Sequence, residues 1–157
     1  MSAQKTVNVG IIGGGLMGRE LLALVGRWDA LQDHPVRPVI TAIADTSDAV
    51  REFFTNAGVP DSYSDYKELL ASPNVDVVYI AVPHNLHEEI YIAAINAGKD
   101  FLGEKPFGID LAAAEKIAAA LAGKKNFVRV SSELPFYPGA QAAIREARSG
   151  NLGEIVE

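Results

Sequence analysis

Residues Val7 to Gly18 read VNVGIIGGGLMG, a short apolar run followed by three consecutive glycines and the start of a second apolar pattern. The run from Val7 to Ile12 has the length and composition of a buried strand. From Leu16 to about Leu31 apolar residues recur at helical spacing, and the stripe consists of Leu21, Leu24, Val25, Trp28 and Leu31. A strand, a glycine turn and a helix in this order predict the first βα unit of an α/β sheet.

The glycines of this turn fit the spacing G-x-G-x-x-G at Gly13, Gly15 and Gly18. Gly13 is expected to permit the tight turn, Gly15 to let the backbone approach a pyrophosphate, and Gly18 to let the helix pack closely on the strand. The first amides of the helix, at Leu16 and Met17, would then face the anion. A merely flexible glycine loop is the alternative, but the strand before the turn and the helix after it favour a dinucleotide site.

Strand and helix patterns continue to alternate after this first unit. Further strands are predicted at Val39 to Ala44, near Tyr63, at Val75 to Val82, at Phe101 to Gly103 and at Phe127 to Val130. Helices are predicted at Ser47 to Asn56, Asp65 to Ala71, Asn85 to Gly98 and Asp110 to Gly123, with Asn85 and Glu88 spaced as a capping box. Because strands separated by helices require right-handed crossovers, the fold class is α/β, a Rossmann-type doubly wound sheet that is mainly parallel.

The last part of the chain has a different pattern. A helix is predicted from about Pro138 to Ser149, and Glu154 to Glu157 has the composition of a strand that is cut off as it begins. We therefore predict a dinucleotide-binding Rossmann domain over residues 1–130. Residues 131–157 are predicted to be a connecting helix and the first residues of an absent substrate domain.

Asp45 stands where the second predicted strand ends. From there a carboxylate can accept hydrogen bonds from the adenosine ribose hydroxyls and repel a 2′-phosphate, although a helix-capping role is the alternative. Its separation from Gly18 exceeds the roughly 20 residues usual for the motif, and a surface loop predicted from Asp29 to Pro38 accounts for the excess. Neither following residue is basic, so NAD is the predicted cofactor, and Arg51 is close enough in sequence to leave NADP open.

A further candidate site is the stretch from Gly103 to Phe107, which reads GEKPF and follows the fifth predicted strand. It lies beside the crevice where open α/β sheets bind ligands. Lys105 is the candidate catalytic residue, because an ammonium beside a nicotinamide can pass protons or orient a substrate hydroxyl. Glu104 is placed to hold Lys105 by charge, and an ordinary surface ion pair before a proline turn is the alternative.

The composition excludes several classes of protein. The 157 residues contain no cysteine, which excludes disulfides, thiolate metal sites and cysteine nucleophiles. No metal site is predicted, and a cytoplasmic location is expected. The net charge of −6 disfavours nucleic acid as a partner. No apolar run has the length of a membrane span and no signal-peptide pattern is present, so neither a membrane partner nor export is expected.

Several stretches together resemble the N-terminal domain of the Gfo/Idh/MocA oxidoreductases, the relatives of glucose-fructose oxidoreductase and inositol 2-dehydrogenase. They are the glycine turn, AIAD at residues 42–45, VVYIAVP at 77–83, AAINAGK at 93–99 and EKP at 104–106. The resemblance covers nearly the whole chain. Its most specific part is the EKP stretch in register with the others.

This resemblance implies an NAD(P)-dependent dehydrogenase that transfers hydride between nicotinamide and a sugar, polyol or related small molecule. Lys105 takes the position of the family lysine near nicotinamide and substrate, with a cis bond to Pro106. Predicted cofactor contacts beyond the glycine turn and Asp45 are Val82, Pro83, Asn85, Glu104 and Lys105. Family members often have the proline and asparagine adjacent, whereas His84 separates them here. His87 occupies a familiar histidine position, and a packing or surface role is expected for it.

In this family the substrate pocket and the oligomer interface belong to a C-terminal domain. The resemblance therefore implies a small-molecule substrate and a homo-oligomer only for the longer protein. A hydride site without a substrate wall orients a reaction poorly. We expect this chain alone to bind the dinucleotide with little or no turnover.

Two other functions stay open on the sequence. One is a non-catalytic, dinucleotide-responsive regulatory protein, because relatives of this fold serve in that role. The other is a homoserine-dehydrogenase-like enzyme, which shares the glycine motif but leaves the EKP stretch unexplained. Lys105 favours the sugar or polyol dehydrogenase.

Overall fold

Strands and α-helices alternate along the chain. The structure, a computed structural model, describes residues 4–30, 34–132, 134–154 and 156. The strands are β1 Lys5–Ile12, β2 Val36–Ala44, β3 Asp61–Tyr63, β4 Val77–Ile80, β5 Asp100–Gly103 and β6 Val128–Val130. The α-helices are α1 Leu16–Gly26, α2 Asp48–Asn56, α3 Tyr66–Ala71, α4 His87–Asn96, α5 Leu111–Leu121 and α6 Pro138–Ser149. None of the helices in this part of the chain combines the length and the apolar character that crossing a bilayer requires.

The six strands form one sheet in the order β3-β2-β1-β4-β5-β6, and every pair is parallel. After β3 the chain returns past β1 to form β4, so the strand order reverses between β1 and β4. Open α/β sheets bind their ligands beyond the carboxyl ends of the strands at such a point. The predicted doubly wound α/β sheet is confirmed.

Both faces of the sheet are buried, which explains why the strand sequences are nearly continuous apolar runs. Neighbouring residues of a strand point to opposite faces. Ile11 packs on one face in a cluster with Phe54, and Ile12 packs on the other in a cluster with Leu69 and Tyr91. Helices therefore pack on both faces of β1, whose residues become more buried toward its carboxyl end.

Local signals in the sequence define several helix ends correctly. The Asp110 side chain accepts a hydrogen bond of 2.8 Å from the backbone N–H of Ala113 and so caps α5. The Asp65 side chain caps α3 in the same way, through the N–H of Lys67 at 2.9 Å. Gly98 lies just beyond α4 with a φ of +73°, a left-handed conformation that favours glycine.

The predictions between α1 and β2 need correction. The first helix ends at Gly26, a 3-10 helix follows at Trp28–Ala30, and Leu31 lies outside the described residues. Leu24 is 58% exposed and does not belong to a buried stripe. The second strand begins at Val36, so the predicted surface loop as far as Pro38 is too long. Proline fits this part of β2 because only β1 pairs with it there, while β3 begins its pairing at Ala42.

The predicted capping box of Asn85 and Glu88 is wrong. The chain forms a 3-10 helix at His84–Leu86 before α4 begins, so Asn85 lies inside that turn rather than at the helix start. Glu88 accepts a hydrogen bond of 2.8 Å from Lys116 of α5 instead.

The ends of two predicted strands also differ from the structure. The fourth strand is shorter than predicted and covers Val77–Ile80. At the end of the chain, Glu154 and Val156 are not in a strand, and Ile155 and Glu157 lie outside the described residues.

We expect Gly18→Ala to lower the free energy of unfolding by roughly 1–3 kcal/mol, the usual cost of overpacking. A Cβ built at Gly18 would stand 2.4 Å from the backbone oxygen of Gly13, where real side chains do not fit. The control is Gly26→Ala in the same helix, where a Cβ meets nothing within 4 Å. Urea unfolding followed by circular dichroism measures both. Equal stabilities of the two variants would contradict the predicted clash.

Candidate dinucleotide-binding site

The glycine turn joins β1 to α1 in a conformation that larger residues cannot adopt. Gly13 has a φ of +92°, and a Cβ there would stand 2.3 Å from the backbone oxygen of Ala81. Gly18 is buried and brings α1 against the backbone of Gly13. The predicted conformational roles of these two glycines are confirmed.

Gly15 stands at the N-terminus of α1 and faces open space. A Cβ built at Gly15 meets nothing within 4 Å, so the absence of a side chain here is not required by the protein's own packing. The first turn of α1 contains no acidic residue, and the two side chains that follow, Leu16 and Met17, are 75% and 39% exposed. The positive end of the helix dipole is therefore not neutralised by a carboxylate in that turn.

The Asp45 carboxylate is held at the end of β2 by two backbone amides. Its Oδ2 accepts a hydrogen bond of 2.8 Å from Gly14, and its Oδ1 accepts one of 2.9 Å from Ser47. Gly14 occupies a variable position of the motif, and sequence reasoning assigned it no role. Yet a Cβ at Gly14 would stand 2.4 Å from Val50, so α2 packs too closely to allow a side chain there.

A cavity of about 620 Å³ opens beside the glycine turn, beyond the carboxyl ends of the strands. This volume lies within the usual range of small-molecule sites. Among the predicted site residues, it is lined by Gly13, Gly15, Asp45, Val82 and Pro83. Its charged lining residues are Asp45, Asp65, Glu89 and Lys67. Acidic groups predominate, so an anion in this cavity depends on backbone N–H groups more than on side-chain charge.

The other predicted site residues lie outside the lining of this cavity. They are Leu16, Met17, Gly18, Asn85, Glu104 and Lys105. Asn85 is exposed in the 3-10 turn before α4. Lys105 is exposed beyond β5, on the opposite side of β1 from Asp45. The Lys105-Pro106 bond is cis, as the resemblance implies.

Glu104 is buried and does not form an ion pair with Lys105 in the described structure. Its carboxylate accepts a hydrogen bond of 2.5 Å from the Tyr79 hydroxyl, and its backbone oxygen accepts one of 2.6 Å from the Tyr91 hydroxyl. Burial and the bond to Glu104 raise the pKa of Tyr79 above its usual value. Burial and the charge of Glu104 raise the pKa of Tyr91 as well. The expected charge-holding role of Glu104 is therefore wrong, because its carboxylate has a different partner.

His87 contacts the backbone of Pro106, the residue that follows Lys105. Its ring is fully buried and stacks on Tyr91 with centroids 4.8 Å apart. Nδ1 lies 2.7 Å from the Pro106 oxygen, and Nε2 lies 3.1 Å from the Val82 oxygen. The expected packing role of His87 is confirmed. Together, His87 and Tyr91 bond the carbonyls of Pro106 and Glu104, the two neighbours of Lys105.

The fold and this site define a dinucleotide-binding Rossmann domain. A sequence model described as an oxidoreductase family with an NAD-binding Rossmann fold, Gfo/Idh/MocA, matches residues 7–132. The chain belongs to this family.

Individual relatives agree with the family assignment. Trans-1,2-dihydrobenzene-1,2-diol dehydrogenase from Bos taurus is 30% identical over 93% of this chain and 42% of its own length. D-xylose 1-dehydrogenase (NADP(+)) from Hypocrea jecorina is 36% identical over 76% of this chain and 32% of its own. A solved levoglucosan dehydrogenase in complex with NADH has a TM-score of 0.87 and 29% identity, over 97% of this chain and 41% of that one. The chain spans about two fifths or less of the length of these proteins.

We expect Tyr79→Phe to lower the free energy of unfolding by about 1–3 kcal/mol near neutral pH, because it leaves the buried Glu104 carboxylate without its donor. The raised pKa of Tyr79 means that the folded protein keeps a proton that the unfolded chain releases above its usual pKa of 10.0. The free energy of unfolding of the wild type therefore falls as pH rises above about 10. In the variant, residue 79 has no hydroxyl to titrate, so it adds nothing to such a fall.

Chemical unfolding at neutral pH and above pH 10 measures both effects. Tyr63→Phe is the control, because it removes a hydroxyl from a partly buried tyrosine, and no hydrogen bond of that hydroxyl is described. If the difference in the free energy of unfolding between wild type and Tyr79→Phe did not become smaller above pH 10, the claim that folded Tyr79 keeps its proton there would be wrong.

Proposed function

We propose that this chain is the cofactor-binding domain of an NAD-dependent dehydrogenase that acts on a sugar, a polyol or a related small molecule. The observation that carries the proposal is the open N-terminus of α1 at Gly15, which lines the same cavity as the Asp45 carboxylate. A dinucleotide requires N–H donors for its pyrophosphate beside a carboxylate that accepts hydrogen bonds from its ribose hydroxyls.

The backbone of the turn is suited to hold the pyrophosphate. The amides from Gly15 to Met17 lie at the positive end of α1, and no carboxylate in its first turn competes for them. Asp45 is suited to accept the ribose hydroxyls, because two amides already fix its orientation. Val82 and Pro83 supply an apolar wall on the β4 side of the cavity.

Lys105 is the proposed catalytic residue. When bound, NAD supplies the nicotinamide ring that accepts or donates the hydride. A dinucleotide crossing the glycine turn with its adenosine on the β2 side extends its other end toward β5, after which Lys105 is exposed. There the ammonium would orient a substrate hydroxyl or move its proton. The bonds to the carbonyls on both sides of Lys105 support this role, because they restrain the backbone that carries it.

Substrate class and partners rest on the relatives. Their names describe dehydrogenases of a diol, of xylose and of levoglucosan, which supports a polyhydroxylated small molecule as substrate. We propose residues 1–130 as the Rossmann domain and residues 131–157 as the connection to a substrate domain, which would complete the active site and the homo-oligomer. A chain of 157 residues without cysteine fits a cytoplasmic protein.

Gly15→Val tests the pyrophosphate site. The Cβ of the new side chain meets nothing within 4 Å, and its methyl groups would occupy the open space at the N-terminus of α1, so we expect NAD binding to weaken at least about tenfold with the fold retained. Calorimetric titration measures affinity, and circular dichroism checks the fold. Gly139→Val, at another position where a Cβ meets nothing within 4 Å, is the control and should bind NAD as the wild type does. If Gly15→Val bound NAD with unchanged affinity, the proposal that the pyrophosphate binds at this turn would be wrong.

Lys105→Met in the full-length protein separates a dehydrogenase from a regulatory protein. A dehydrogenase should lose most of its turnover, by at least about a hundredfold, while its NAD affinity changes little, because the ammonium acts on substrate. Initial rates with a polyol or sugar substrate and NAD titrations measure the two properties. Turnover equal to that of wild type would exclude Lys105 from the chemistry.

A further inference from the structure

Arg51 lies next to the proposed ribose site, and both of its terminal nitrogens bond acceptors of the protein itself. Its Nη1 donates a hydrogen bond of 2.6 Å to the backbone oxygen of Asp45. Its Nη2 donates to Oδ1 of Asp48, three residues earlier in α2. The Arg51 side chain is 18% exposed, whereas that of Asp48 is 93% exposed. One end of the arginine fork is therefore anchored against β2, and the other is held by a carboxylate at the surface.

This arrangement bears on the choice between NAD and NADP. The two cofactors differ by a phosphate on the adenosine ribose, which carries about two negative charges. A planar guanidinium is the side chain best suited to grip such a phosphate with two parallel hydrogen bonds. Arg51 is close enough to Asp45 to bond its backbone, yet its orientation is set by two acceptors of the protein, the Asp45 oxygen and the Asp48 carboxylate.

We propose that Asp48 is a specificity-determining residue that keeps Arg51 away from a 2′-phosphate and so favours NAD. Discrimination then has two parts: the Asp45 carboxylate repels the phosphate, and Asp48 withholds the nearby cation that would compensate for it. The inference rests on the proposed function, because it requires the adenosine ribose at Asp45. It assigns a role to a residue that does not line the cavity and that acts through Arg51.

The restraint by Asp48 should be easy to remove. Ion pairs with a well-exposed partner are weak and are screened by salt, so a single substitution at Asp48 releases Nη2 while Nη1 stays bonded to the Asp45 oxygen. Asp48→Asn removes the charge and keeps a side chain that helix N-termini accept. Asp48→Ser is a second variant of the same kind, in case the first folds poorly.

The test is a double-mutant cycle on affinity for NADH and NADPH, read by the fluorescence of the reduced cofactors at low ionic strength. We expect Asp48→Asn to tighten NADPH binding by about two- to fivefold and to leave NADH binding within about twofold. The same substitution in an Arg51→Gln background should leave NADPH binding unchanged. Repeating the cycle in Asp45→Asn, which removes the direct repulsion, brings NADPH affinity into an easily measured range.

Glu52→Gln is the matched control. It removes the same charge from an exposed side chain of the same helix, and no ion pair of Glu52 with Arg51 is described. We expect it to leave the ratio of NADPH affinity to NADH affinity unchanged. The control therefore distinguishes the effect of releasing Arg51 from the effect of removing one negative charge from α2.

Two results would overturn the inference while NADH binding stays intact. An equal gain in NADPH affinity with and without Arg51 would mean that Asp48 acts by direct repulsion. No gain in either background would mean that Arg51 does not reach the phosphate. If the wild-type chain bound neither cofactor, the proposed function itself would fail, and this inference with it.

Discussion

The close approach of α1 to the glycine turn is the constraint on which the rest of the structure depends. A Cβ at Gly18 would stand 2.4 Å from the Gly13 oxygen, so the helix can begin immediately beyond the strand only because residue 18 is glycine. This contact points the N-terminus of α1 at the crevice where the strand order reverses. A helix displaced by one side chain would no longer present its free amides to the cavity.

Around that contact the site is built from the backbone more than from charged side chains. Amides of Gly14 and Ser47 orient the Asp45 carboxylate, and the hydroxyl of Tyr91 and the ring of His87 bond the carbonyls beside Lys105. Such a design suits a chain with a net charge of −6, because helix amides attract phosphate locally without a basic surface. Side-chain charge then serves to discriminate between ligands rather than to attract them.

Much of the fold could be predicted because its signals are local. Buried parallel strands leave apolar runs, helix ends leave residues such as Asp110 and Gly98, and the glycine spacing identifies the first βα turn. The errors have two sources. Pro38 is accepted in β2 because that part of the strand has β1 as its only partner, which depends on neighbours in space. Asn85 fails as a cap because it lies inside a 3-10 turn that precedes α4.

The sequence by itself determined the class of sheet, the glycine turn and the family, because each of these is carried by short local patterns, even where several such patterns are spread along the chain. Only the tertiary structure decided which partners the buried polar groups have. Glu104 adjoins Lys105 in sequence but bonds Tyr79, which is 25 residues away, and the ring nitrogens of His87 lie 2.7 Å from the Pro106 oxygen and 3.1 Å from the Val82 oxygen. Pairings between residues far apart in the chain follow from how β4, α4 and β5 pack together. No short sequence pattern predicts that packing.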